Sequence, residues 1–131
     1  MKTRMAMLAA LAVLGAAVSA PGTAYAGARD NEDARVSGVR GVPAEPCPSQ
    51  YFCLYTRSNH SGQVFKLFRC QTYGIGMWNG IGSYYNHDGG GKHAKFLDKG
   101  RKEILNIPPY PDSGHSSSRY DFRPVWYVTA C

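Results

Sequence analysis

Apolar and polar positions alternate with a period of two in several short stretches after Cys47. From Tyr51 to Thr56, Phe52 and Leu54 fall on one face of a strand and Tyr51, Cys53 and Tyr55 on the other. Arg57 to Gly62 is polar and ends in glycine, which predicts a turn, and Gln63 to Phe68 returns as a second strand. Gln71 to Gly82 reads as a glycine-interrupted connection, with Tyr73, Ile75, Met77, Trp78 and Ile81 apolar enough to lie across a core. Ser83 to Asn86 reads as a short strand, and His87 to His93 (HDGGGKH) as a mobile hairpin tip. Ala94–Leu97 and Glu103–Ile107 should pair around Asp98-Lys99-Gly100, whose glycine supplies the backbone freedom a turn needs. A last strand over Val125–Cys131 would place Val125 and Tyr127 on one face and Trp126 and Val128 on the other. No window keeps a helical period, and 15 glycines and 8 prolines interrupt the chain too often for long helices. The expectation is an all-β sandwich of short antiparallel strands.

The pattern also divides the chain. Met1–Ala26 has basic Lys2 and Arg4, an apolar run from Met5 to Val18 and a small-residue site at Ala24-Tyr25-Ala26. These are the three parts of a secretory signal peptide, and the run is short of the ~20 residues that span a bilayer. Residues 27–46 mix charges with small residues and read as a flexible N-terminal arm; the folded domain is expected over 47–131. Pro108 to Arg119 reads as a long loop, proline-rich at one end and serine-rich at the other, of the kind that is either functional or disordered.

Cysteine and charge sharpen this picture. An even cysteine count in a small secreted chain points to disulfides before metal. Three pairings are open; the one taken here joins Cys47 to Cys53, close in sequence, and Cys70 to Cys131, tying the last residue to the middle. The net charge of +6 falls by two once Lys2 and Arg4 are removed. The basic residues are scattered along the chain, so they read as a solvated surface with no nucleic-acid partner, and after signal cleavage no membrane contact is expected.

Candidate chemistry is sparse. Gly114-His115-Ser116-Ser117-Ser118 misses the nucleophile-elbow pattern at its last position, and the chain is too short for the sheet that motif needs. Glu103 with His87, His93 or His115 has the residue types of an acid–base pair, but they lie in separate loops. His87, Asp88 and His93 are spaced too loosely across three glycines for a structural zinc site. No catalytic residue and no cofactor is assigned, and an enzyme is not expected. In the long loop, Pro108, Pro109 and Pro111 pre-set the backbone around Tyr110, an aromatic anchor of the sort that dominates protein interfaces; the same prolines would also simply end the strand at Ile107.

Cys47-Pro48, Cys53, Tyr55 and Gly62 together resemble the opening of the secreted bacterial metallopeptidase inhibitors of the Streptomyces type, inhibitor family I36, whose fold is similar to one βγ-crystallin domain. Tyr55 and Gly62 sit at their places in the crystallin Greek key signature, with His60 where its second aromatic residue is expected. No clear second copy of the signature is legible. Trp78-Asn79-Gly80-Ile81-Gly82-Ser83 echoes a calcium motif of such domains: Asn79 and Ser83 match it, but Trp78 and Gly82 replace oxygen-bearing positions, so no metal is assigned. In the family, the equivalent of Ser83 ties down the hairpin. The family's best-known inhibitor carries its reactive bond in a second tight disulfide loop, for which Cys70 and Cys131 are too far apart. The resemblance implies a βγ-crystallin-like Greek key sandwich and a secreted peptidase inhibitor, of metallopeptidases, with an extracellular protease as partner; a monomer is expected, and the residues themselves offer Pro108, Pro109, Tyr110 and Pro111 as the candidate contact loop. The different-class reading is a non-inhibitory module that binds cell wall, carbohydrate or a microbial surface.

Overall fold

The computed structural model describes residues 31–131, so the signal peptide read over 1–26 lies outside the described residues. Among the described residues, ten strands run in chain order: β1 Arg35–Val36, β2 Val42–Pro43, β3 Phe52–Arg57, β4 Ser61–Leu67, β5 Thr72–Gly76, β6 Ile81–Asn86, β7 Ala94–Leu97, β8 Glu103–Ile107, β9 Ser116–Asp121 and β10 Tyr127–Thr129. They form two antiparallel five-stranded sheets, ordered β1-β5-β10-β7-β8 and β2-β4-β3-β6-β9. Consecutive strands pair as hairpins at β3–β4 and β7–β8. After each hairpin the chain sends one strand to the opposite sheet and then returns: β5 leaves and β6 comes back beside β3, β9 leaves and β10 comes back beside β7. These are two Greek key units, each lending its third strand to the other's sheet.

The second unit carries no copy of the signature because its hairpin turns differently. Asp98 Oδ1 accepts from the N–H groups of Gly100 and Lys102, and Arg101 takes the left-handed conformation (φ 63°). In the first unit the expected devices are in place. Gly62 has φ 81°, and a Cβ there would lie 2.3 Å from Thr56 Oγ1. The His60 ring stands edge-on to Tyr55 at 5.1 Å, serving as the second aromatic. Ser83 Oγ donates to Arg57 O (2.6 Å) and accepts from His60 N (2.8 Å), tying the hairpin to β6.

The sandwich core follows from the alternation. Phe52, Leu54, Phe65 and Leu67 point inward from one sheet, Tyr73, Ile75, Phe96 and Val128 from the other. Phe96 is the hub, with ring contacts at 5.2–6.0 Å to Phe52, Tyr84, Tyr120 and Phe122. Such pairs contribute ~0.5–1.5 kcal/mol each beyond buried area. Cys53, Tyr55 and Val64 face the opposite way and form a smaller buried cluster, covered by Val42 and the Cys47–Cys53 disulfide. The second disulfide joins Cys70 to Cys131 across a separation of 61, so both bridges pair as expected.

Several expectations are corrected. Residues 31–46 are packed into the sandwich instead of forming an arm: β1 adds to the edge of one sheet and β2 to the edge of the other. Ala34 and Val36 enter the core, and the rest of the strap is held by hydrogen bonds, including Trp78 Nε1 to Arg35 O (3.0 Å) and Tyr55 Oη to Glu45 O (2.8 Å). Polar fastening of this kind leaves no apolar period to read. Thr72–Gly76 is strand β5, with Tyr73 and Ile75 buried between glycines. His87–His93 crosses from one sheet to the other and is no hairpin tip. Ser116–Arg119, expected as the end of the long loop, belongs to edge strand β9 (Ser116–Asp121), whose largely polar residues had no hydrophobic alternation to show. Trp126 precedes β10, after the turn at Arg123–Pro124, and is exposed, so it does not share the buried face of Val128.

Candidate functional site

Shortening the Pro108–Arg119 loop to residues 108–115 leaves the crossover between β8 and β9, and its fixing point is Asn86 at the end of β6. Asn86 is fully buried. Its backbone N–H donates to His115 O (2.7 Å) and its carbonyl accepts from Tyr110 N (2.9 Å), so one residue clamps both arms of the loop. Its side chain does the same for the surroundings: Nδ2 donates to Ile107 O and Lys92 O (3.1 Å each), and Oδ1 accepts from Asp88 N (3.1 Å). The loop closes on itself through Asp112 N to Pro109 O (2.9 Å) and His115 Nδ1 to Asp112 O (2.8 Å).

Beneath the loop lies a cluster of rings. Tyr85 is its floor, meeting His115 at 4.9 Å, His87 at 5.3 Å and His60 at 6.0 Å, all edge-on. Tyr110 stacks over Tyr85 at 6.4 Å and touches His87 and His115 at 5.4 and 5.3 Å. Each histidine donates one ring N–H to a carbonyl, which can only accept: His60 Nε2 to Tyr84 O, His87 Nδ1 to Cys47 O, His115 Nδ1 to Asp112 O. The rings are thereby held as plates. Tyr110 rests on them with 50% of its surface exposed, followed by exposed Pro111 and Asp112. Pro108 is half-buried and Pro109 buried, so of the four expected contact residues Tyr110 and Pro111 face outward and Pro109 serves as packing.

The remaining candidates do not assemble. Glu103 opens β8 in one sheet, whereas His87 and His115 belong to the ring cluster beside the other and His93 bonds Asn106 (2.6 Å). Ser83 has both hydrogen bonds committed to the hairpin, Asn79 is exposed, and a Cβ on Gly82 would meet Tyr55 O at 2.5 Å, which accounts for glycine there. Among the described residues no group of three or more His, Cys, Asp or Glu is placed to hold a metal ion. Sequence reading picked Tyr110 but missed Tyr85 and Asn86, whose partners in the 107–115 segment lie more than twenty positions away.

Tyrosine burial has a measurable consequence. Burial raises the phenols of Tyr55, Tyr84 and Tyr120 above their ordinary value, assisted by Glu45 and Tyr85 at Tyr55, by Tyr120 at Tyr84 and by Asp121 at Tyr120. A folded-state value above the unfolded one means the stability is complete below about pH 10 and is lost as pH climbs through the raised values. Absorbance at 295 nm should show these tyrosines ionising later in the folded protein than in urea, with the unfolding midpoint dropping above pH 10. Simultaneous ionisation of all tyrosines in the folded protein would contradict it.

Residues 42–99, spanning β2 to β7, match the family model for peptidase inhibitor family I36. No curated protein and no solved structure matches the chain.

Proposed function

With residues 42–99 matching peptidase inhibitor family I36, a family of inhibitors and not of enzymes, we propose that this protein is secreted and blocks an extracellular metallopeptidase with its 108–115 loop. The observation that carries the site is the double clamp of that loop by Asn86 over the Tyr85 ring floor. A loop already held in one conformation loses little freedom on entering a protease cleft, and the cost of ordering it is met during folding. Tyr110 is the anchor; Pro111 and Asp112 flank it. Secretion is supported by the three-part leader over 1–26 and agrees with the two disulfides. The metallopeptidase class rests on the likeness of the Cys47–Gly62 opening to the Streptomyces-type inhibitors.

Titration against a thermolysin-like metallopeptidase, a subtilisin and a trypsin tests this reading. Stoichiometric loss of the metallopeptidase activity alone is expected, with Tyr110→Ala weakening inhibition at least about tenfold at unchanged melting temperature. If all three enzymes stayed active while the protein survived undigested, the non-inhibitory binding module would replace the inhibitor.

A further inference from the structure

Four cations, Arg35, Lys95, Lys99 and Arg101, come to the outer face of the β1-β5-β10-β7-β8 sheet. Val36, Ala94, Phe96 and Val128 point into the core, so by alternation Arg35, Lys95, Tyr127 and Thr129 point outward. The β7–β8 turn brings Lys99 and Arg101 onto the same face, each over a ring: Lys99 Nζ lies 5.2 Å from the Trp126 centroid and the Arg101 guanidinium 4.5 Å from that of Tyr127. Glu103 stands across from Leu97 on this face, and Asp98 is occupied in its turn. Positive charge therefore predominates.

Trp126 is 46% exposed and stands as a wall between two grooves of about 360 and 330 Å³. The first has a floor of main chain: Gly74 and Gly76 contribute no side chain, and a Cβ on Gly76 would meet nothing within 4 Å. Arg35 and Tyr127 line its sides. An indole beside a bare, flat floor accepts a flat ring lying along it, and the surrounding cations favour a ring that carries a carboxylate or sulfate. A peptide would leave its side chains without pockets over the two glycines. Single-stranded nucleic acid needs a row of open aromatic faces, whereas Arg101 lies over Tyr127 and Lys99 over one face of Trp126, so this sheet offers a single indole and no row.

We propose that this face is a second binding site, independent of the peptidase loop, for an acidic polysaccharide whose sugar rings stack on Trp126 while Arg35, Lys95, Lys99 and Arg101 hold its anionic groups. The site would retain the protein on an anionic surface while the 108–115 loop, in the crossover between the two sheets, remains free.

Native gels cast with polygalacturonate, with neutral dextran, or with neither, test it, alongside fluorescence titration of the full protein with polygalacturonate and with oligo-dT. The protein should be retarded by polygalacturonate and not by dextran, with affinity falling at least about tenfold between 50 and 500 mM salt. Trp126→Ala, and separately Gly76→Leu, which fills the groove floor without touching the core, should each weaken binding about tenfold or more and leave peptidase inhibition unchanged. Absence of retardation, undiminished binding by both variants, or tighter binding of oligo-dT than of polygalacturonate would each overturn the proposal.

Discussion

Replacing Cys70 and Cys131 together by alanine is expected to remove about 4 kcal/mol of stability, against about 2 kcal/mol for Cys47 with Cys53, on the chain-entropy account of cross-links. The separations of 61 and 6 residues produce the ranking, because the longer bridge denies more conformations to the unfolded chain. A domain of this size is stable by only about 5–15 kcal/mol, so the loss would lower the melting temperature by roughly 20 °C. The bridge also fastens the end of β10 to the start of β5, beside the Ala130 N to Gln71 O bond and the Thr72–Thr129 hydroxyl contact. Urea unfolding of both double variants gives the comparison. A smaller loss from the long bridge than from the short one would mean that β5–β10 pairing secures the terminus without help.

Asn31→Ala is expected to cost about 3–5 kcal/mol, an unusually large effect for one residue near the edge of the fold. Asn31 is 1% exposed; its Nδ2 donates to Thr56 O (3.0 Å) and Ile81 O (2.9 Å), and its Oδ1 accepts from Gly80 N (3.0 Å). Alanine would strand all three partners, and each buried polar group left unpaired costs ~1–3 kcal/mol. The exposed neighbour Glu32→Ala serves as control and should stay within about 0.5 kcal/mol. Loosening of the strap should also speed tryptic cleavage at Arg35 and Arg40. A loss below about 1 kcal/mol with unchanged cleavage would show that the strap is held without Asn31, by its strand pairing and by Ala34 and Val36.

Asn31 and Asn86 also explain what was legible beforehand. Both are single polar residues wired to three main-chain groups, and each decides a large feature: Asn31 seats the strap over 31–43, Asn86 seats the 108–115 loop. Neither differs, in sequence, from an ordinary loop asparagine. Strands β3, β4, β7 and β8 were visible because apolar residues gather in short runs there and their hairpins close within a few residues. Strand β9 was hidden because its pairing to β6 depends on backbone groups and leaves its serines largely unburied.

By itself, the sequence determined the local and the covalent: an all-β chain, the Tyr55–Gly62 hairpin with its left-handed glycine, the presence of disulfides, and likeness to the inhibitor family. Each depends on residue type and near spacing, or on a bond only cysteine can form. The tertiary structure alone decided that 31–46 belongs to the fold, that a second Greek key exists without the signature, and that His60, Tyr85, His87, Tyr110 and His115 share one surface. It likewise brought Arg35, Lys95, Lys99 and Arg101 to one face of a sheet, with Lys99 over Trp126 and Arg101 over Tyr127. Those groupings arise when strands distant in sequence are brought to adjacent positions across a sheet. The register that aligns them is set by burial of the whole core, which no single segment encodes.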